Sequence, residues 1–282
     1  MRCLTSLLLL AAWAAAETGL VPAAPAREPS PAEIAVEGFV RDTREPMVLA
    51  PASGGLLGWI AVRADAWYPR LDGRFSSLGG DILDAAELNL DTNAVGPAAE
   101  VALTPGRFFF RFDFFQVRFE GDSTLSRTFS FGGLTFTINE DVSSRVRIDS
   151  YRFMSGFAVV KTAPFRLYVL LGLGLYHLEG RVDGSVSGSA EESLDIPAPF
   201  IGLLAQAKVT RFIFEVEVSG LTVSYSDVGA DYVDIKASVG ITLFKVAALR
   251  AGYRYVLLNG HVSDFDVDVT LDGFFIGAGV QF

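Results

Sequence analysis

The chain has one cysteine, Cys3, and two histidines, His177 and His261, among 282 residues. A lone thiol beside the N-terminus leaves no disulfide framework and no cysteine metal centre. The histidines lie far apart, and neither has a second ligand at metal spacing, so no metal site, no cofactor and no catalytic residue is expected. Basic charge is also short. Against 33 Asp and Glu stand 23 Lys and Arg, a formal net charge of −10, which excludes the basic stripe that nucleic-acid binding requires. Long apolar runs are missing too: past the N-terminus none reaches the ~18 to 20 residues of a membrane helix. Yet 50% of the chain is hydrophobic, with 28 glycines and 23 phenylalanines. Apolar mass that is abundant but dispersed at period two belongs to strands.

Three segments follow from composition. Met1-Arg2, an apolar core from Leu4 to Ala14 and the small residues before Glu17 have the form of a secretory signal peptide, 1–16. Residues 17–56 are rich in Pro and Ala with no sustained period, and read as a flexible periplasmic lead-in. From 57 to 282 the chain alternates. The clearest strand sets Phe108, Phe110, Phe112 and Phe114 against Phe109, Arg111, Asp113 and Phe115. Another sets Phe165, Leu167, Val169, Leu171, Leu173 and Leu175 against Arg166, Tyr168, Gly172, Gly174 and Tyr176, where small inward residues leave room for long neighbours.

About ten strands are expected, with tight turns at Thr104 to Arg107, Lys161 to Pro164, near Thr210 and at Lys245 to Ala248. The other links read as long and polar, among them Gly180 to Ser193, Ser226 to Ala230 and His261 to Thr270. Phe129 to Phe136 reads as a small hairpin with a Gly-Gly turn, and a bulge is expected near Ser150. Short turns at one end and longer loops at the other place both termini on the periplasmic side of a membrane barrel.

The last strand carries Phe274, Ile276, Ala278, Val280 and Phe282 at alternate positions. In its Gly277-Ala278-Gly279-Val280-Gln281-Phe282 ending, and in the whole strand region, the chain resembles small bacterial outer-membrane β-barrel proteins of the OmpA-like general kind. The resemblance implies an all-β, antiparallel up-and-down transmembrane barrel in the outer membrane. Its partners would be outer-membrane lipid and lipopolysaccharide, and the barrel-assembly machinery through the C-terminal strand, with Phe282 as the signal. A soluble lipocalin-type barrel has the same period and is the rival architecture. The two differ in which face is inside.

With the polar face inside, Arg63, Asp65, Glu100, Arg111, Asp113, Arg152, Arg166, Lys208, Glu215, Glu217, Asp234, Lys236, Arg250 and Arg254 share one small space. Their signs nearly balance, and unpaired buried charge is costly, so a cross-lumen network that plugs the barrel is expected. The function expected is structural or interactive, in the cell envelope. The alternative is a small channel for narrow or hydrophobic solutes. His261-Val262-Ser263 is similar to the His-x-Ser of lipid A deacylases, but Asp264 stands where that family has Asn. Omptin-type proteolysis would need an Asp-x-His, and none occurs. Asp264, Asp266 and Asp268 are spaced like carboxylates on one strand face that could bind Ca²⁺, or form a solvated acidic loop.

Overall fold

The computed structural model describes residues 60–76, 81–90, 94–225, 228–243, 246–262 and 265–282. The expected signal peptide and lead-in lie outside the described residues, as does Ser263 and with it the His261–Ser263 pair. All elements are strands: β1 (Ile60–Ser76), β2 (Ile82–Asp84), β3 (Gly96–Leu103), β4 (Phe108–Thr124), β5 (Phe129–Phe131), β6 (Leu134–Phe136), β7 (Asp141–Lys161), β8 (Phe165–Gly184), β9 (Gly188–Val209), β10 (Phe212–Tyr225), β11 (Val228–Thr242), β12 (Ala247–Val262) and β13 (Phe265–Gln281). Ten of them, without β2, β5 and β6, pair antiparallel in chain order, and β13 pairs with β1 from Gln281↔Ala61 to Val267↔Phe75 to close the ring. This is the all-β, antiparallel up-and-down barrel that the alternation predicts.

The turns follow their residues. Gly106 and Thr210 adopt positive φ where the chain reverses after β3 and β9, and Gly132 and Gly133, at φ 55° and 77°, make the two-residue turn between β5 and β6. Two left-handed residues in succession are what a two-residue hairpin of right-handed twist needs.

Four expectations are corrected. Gly180 to Ser193 is not a loop: β8 and β9 run on through it, pairing Gly180 with Glu192 and Arg181 with Glu191, and only residues 185–187 turn. Likewise β11 begins at Val228, within the expected loop Ser226 to Ala230, and Asp266 and Asp268 lie in β13 opposite His261 and Asn259. Beyond the apolar zone the outward residues turn polar while Leu178, Val182, Ala190 and Ile196 stay buried inside, so hydropathy fades before the strands end. The bulge lies between Ala158 and Val160, next to a tight turn, and not at Ser150, whose pairing with Phe115 and Tyr176 is regular.

One seam is incomplete. Pairing of β9 with β10 stops at Ile201↔Gly220, while β9 continues back to Gly188 paired with β8 alone. Pro197 and Pro199 lie on that stretch. The Lys208 N–H goes to Pro164 O on the β8 side, so groups of the opposite parity, both prolines among them, face the side where β9 has no partner. Proline, which has no N–H to donate, is tolerated there.

The interior divides along the barrel axis. In the half remote from the short turns it is apolar, with Trp67, Leu71, Phe115, Phe119, Ile148, Val182, Val256 and Leu271 all buried. Phe129, Phe131 and Phe136 of the β5–β6 hairpin and Leu83, Leu88 and Leu90 after β1 close the far end over them. Nearer the short turns the interior is charged.

Candidate functional site: the barrel lumen

Inward positions at one level of seven strands carry the charges. From β1 come Arg63 and Asp65, from β3 Glu100, from β4 Arg111 and Asp113, and from β7 Arg152. Glu215 and Glu217 belong to β10, Asp234 and Lys236 to β11, and Arg250 and Arg254 to β12. They form two linked clusters. Glu100 accepts from Arg63 Nη1 at 2.5 Å, Lys236 Nζ at 2.9 Å and Arg250 Nη2 at 3.0 Å, and Arg250 Nε donates to Asp65 at 2.8 Å. Deeper in, Arg152 pairs with Asp234, with Glu217 at 2.6 Å and with Asp113 at 3.1 Å. Arg254 Nη2 donates to Asp234 at 2.6 Å, and Arg111 pairs with Glu217 and lies 3.4 Å from Asp113. Arg63 and Arg111 join the clusters through Glu215, at 3.3 and 3.8 Å.

Six cations thus meet six carboxylates, and the network is formally neutral. Arg111 and Arg152 are 1% exposed, so each charge depends on protein partners in place of water. Taking one member away would leave its partners as buried, unpaired charge. Two groups outside the ion pairs complete the network. Tyr232 accepts from Arg152 at 2.9 Å and lies 3.2 Å from Asp234, while Gln206 Nε2 donates to Glu215 at 2.8 Å. Aromatic faces cover the guanidinium planes: Arg254 lies 4.6 Å from the Phe115 ring centroid and Arg152 5.1 Å from that of Phe200.

Twelve of the fourteen residues expected in the lumen are therefore brought together, and two are not. Lys208, near the end of β9, is exposed, and Arg166, the second residue of β8, is half-buried; neither side chain has an ion pair or hydrogen bond among the described residues. Tyr232 and Gln206 carry no charge to mark them in the sequence, although both share the inward parity of the network residues. Glycine makes the space. A Cβ at Gly277 would fall on the Asp65 carboxylate, one at Gly279 would lie 2.7 Å from Arg63 Cγ, and one at Gly172 would enter the Phe200 ring.

Outside the wall the polarity is reversed. Phe108, Phe112, Tyr151, Phe153, Val169, Leu171, Leu173, Ile201, Phe214, Phe274 and Ile276 are exposed. From Phe165 to Leu175 of β8 this belt covers about 33 Å of strand and, at a tilt near 40°, roughly 25 Å in height. Its upper edge passes from strand to strand through paired residues: Phe114 pairs with Tyr151, Tyr151 with Leu175, and Tyr68 with Phe274. One step further on the same face come Gln116, Asp149, His177, Arg70 and Asp272. His177 is part of this polar ring, its Nδ1 2.7 Å from Asp195, and Arg74 lies 3.8 Å from Asp268. Among the described residues no group of His, Cys, Asp and Glu could hold a metal ion.

The far half holds a cavity of about 50 Å³ between Leu83, Leu90, Phe131 and Leu178. It is smaller than the ~150 Å³ at which an apolar cavity takes up benzene.

No family model and no curated protein matches the chain. Solved structures do. The outer membrane protease OmpT from Escherichia coli is 9% identical with a TM-score of 0.49, covering 79% of this chain and 97% of its own. Ail, the attachment invasion locus protein of Yersinia pestis, in complex with the heparin analogue sucrose octasulfate, is 14% identical with a TM-score of 0.39, covering 79% and 99%. Neisserial surface protein A is 15% identical with a TM-score of 0.36, covering 79% and 97%. The chain is similar in fold to small bacterial outer-membrane barrels. Its own strands form a single closed ring.

Proposed function

We propose that the chain is an outer-membrane barrel with a closed lumen, acting in the cell envelope as a structural or interaction protein and carrying out no catalysis. The observation that carries this is the lumen itself, bridged from wall to wall by six cations and six carboxylates and filled beyond them by aromatic and aliphatic side chains. Side chains so placed would block a continuous water column. Support for the membrane comes from the outward belt, whose height matches the ~25 Å apolar band of outer-membrane barrels. A soluble barrel of this kind would show that band to water, far beyond the few hundred Å² of apolar patch usual on soluble surfaces.

In this reading the short turns and both termini face the periplasm, and the long polar strand ends of β7, β8 and β9 stand outside the cell, where they offer an interaction surface. The belt contacts lipid, with the polar ring above it at the level of lipopolysaccharide. Phe282, whose N–H donates to Ile60 O at 2.9 Å and whose side chain is exposed, completes the closing seam and presents the assembly signal. Cell fractionation tests the reading. The protein should be recovered with outer membranes and migrate faster on a gel when unheated, whereas recovery as a soluble periplasmic protein would overturn it.

A further inference from the structure

The two inward cations left over from the neutral network lie at the same end of the barrel. Arg166 is one residue from the tight turn before β8 and pairs across the sheet with Gln206, and Lys208 is two residues further along β9. Both therefore stand at the mouth on the short-turn side, where a cavity of about 100 Å³ opens between Arg63, Lys208, Glu215, Ser238, Thr242 and Arg250. Most of its lining has inward parity, so it opens to the aqueous end of the lumen and not to lipid.

The charge in this mouth is one-sided. Glu215 is the single carboxylate of the lining, and it is already engaged by Arg63 and Gln206. The Lys208 ammonium has no partner among the described residues, and Arg250, 8% exposed, has a buried Nη1 that no acceptor reaches. Around the opening the described residues of the turns and strand ends supply Arg107, Lys161, Arg166 and Arg211, with no Asp or Glu, against the one terminal carboxylate of Phe282 beside the lining residue Gln281. The ion-pair network is formally neutral, and the described residues of the mouth carry the surplus positive charge.

We propose that this mouth binds a small soluble oxyanion, phosphate or carboxylate. Lys208 supplies the free charge, Ser238 and Thr242 offer hydroxyl donors, and Arg63 and Arg250 form the floor. A lysine serves phosphate as a point charge, with no fixed geometry of its own. The network below closes the path onward, so the site is a vestibule that holds an anion and does not pass it.

The test uses the full chain in phosphatidylcholine nanodiscs at low salt, titrated calorimetrically with inorganic phosphate and, separately, with acetate. Saturable binding of either is expected, and their relative affinities read which oxyanion geometry the site favours. Lys208→Gln should weaken binding about tenfold or more, as loss of a charge-assisted contact does. Arg166→Gln should weaken it less, and Lys161→Gln, on the rim outside the lining, should leave it unchanged. All three positions are outside the ion-pair network, and heat-dependent gel migration verifies that each variant has folded. Absence of saturable binding by wild type, or equal binding by wild type and Lys208→Gln, would overturn the proposal.

Discussion

Lys236 Nζ on β11 donates to Glu100 Oε2 on β3 at 2.9 Å, although the two strands are four places apart in a ring of ten. Such a contact crosses the lumen, as does Arg63 to Glu215 at 3.3 Å from β1 to β10. A ring of about ten strands is only a little wider than the eight whose interior side chains just fill. Arginine, lysine and glutamate are long enough to meet across that space, and oppositely charged chains that meet there satisfy one another.

Arg152 is the member with most to lose. It holds Asp113, Glu217, Asp234 and Tyr232. Arg152→Ala should take a partner from three buried carboxylates at once, leaving Asp234 to Arg254 and Asp113 and Glu217 to share Arg111, and cost about 3 to 5 kcal/mol, the range for breaking a buried pair from one side. Arg166→Ala, outside the network, should stay within about 0.5 kcal/mol of wild type. Urea unfolding in lipid vesicles measures both.

Gly277 tests the packing of the same network from the opposite wall. Its missing Cβ is the space that the Asp65 carboxylate occupies beside Arg250. Gly277→Ala should displace that pair and destabilise by about 1 to 3 kcal/mol, as overpacking does. An unfolding midpoint equal to wild type would show that the seam between β13 and β1 can give way.

The outward face makes the opposite prediction for a charge. Leu171 is 64% exposed at the middle of the belt on β8, whereas Val186 is 82% exposed in the turn beyond it. Leu171→Arg should cost about 2 to 4 kcal/mol in a bilayer and Val186→Arg close to nothing, because the penalty depends on depth. In a soluble barrel neither would cost anything, so equal stabilities would contradict the membrane reading.

Glu140 holds the far end together. Its carboxylate accepts from Thr137 N at 3.0 Å, Ser187 N at 2.7 Å, Ser187 Oγ at 2.7 Å and Val186 N at 2.9 Å, tying the segment after β6 to the turn between β8 and β9. The backbone N–H of Thr137, then that of Ser187, holds its carboxyl down to about 2, below the ordinary 4.5. A lowered carboxyl stabilises fully above its ordinary value, and that contribution is lost as pH falls through the lowered one. The latch should therefore hold at pH 4, where free carboxylates are half protonated, and open only near pH 2. Amide protection at Val186 and Ser187, taken relative to the intrinsic exchange rate at each pH, reads it: Glu140→Ala should lower protection at neutral pH as much as acid near pH 2 does in wild type.

Period two made the barrel legible in the sequence, because one face had to meet lipid and the other had to meet itself. Phe108 to Phe115 shows both requirements within eight residues. The charged lumen was legible for the same reason, since a run such as Arg111 and Asp113 at inward positions has no water to face. Strand ends were not legible, because past His177 and Asp195 the outer face is as polar as a loop while the chain stays paired. Arg166 and Lys208 share the parity of the network but lie too close to the turns to reach it, and parity carries no measure of height. Tyr232 and Gln206 bear no charge, and their roles emerge only once Asp234 and Glu215 are placed beside them.

The closed lumen is tested most directly by conductance. Full-length protein reconstituted in a planar bilayer should show at most small, infrequent current steps, since Arg63, Lys236 and Arg250 meet on Glu100 and Arg152 and Arg254 meet on Asp234. Large, steady, porin-like conductance from the wild-type protein would contradict the account and make the chain a channel.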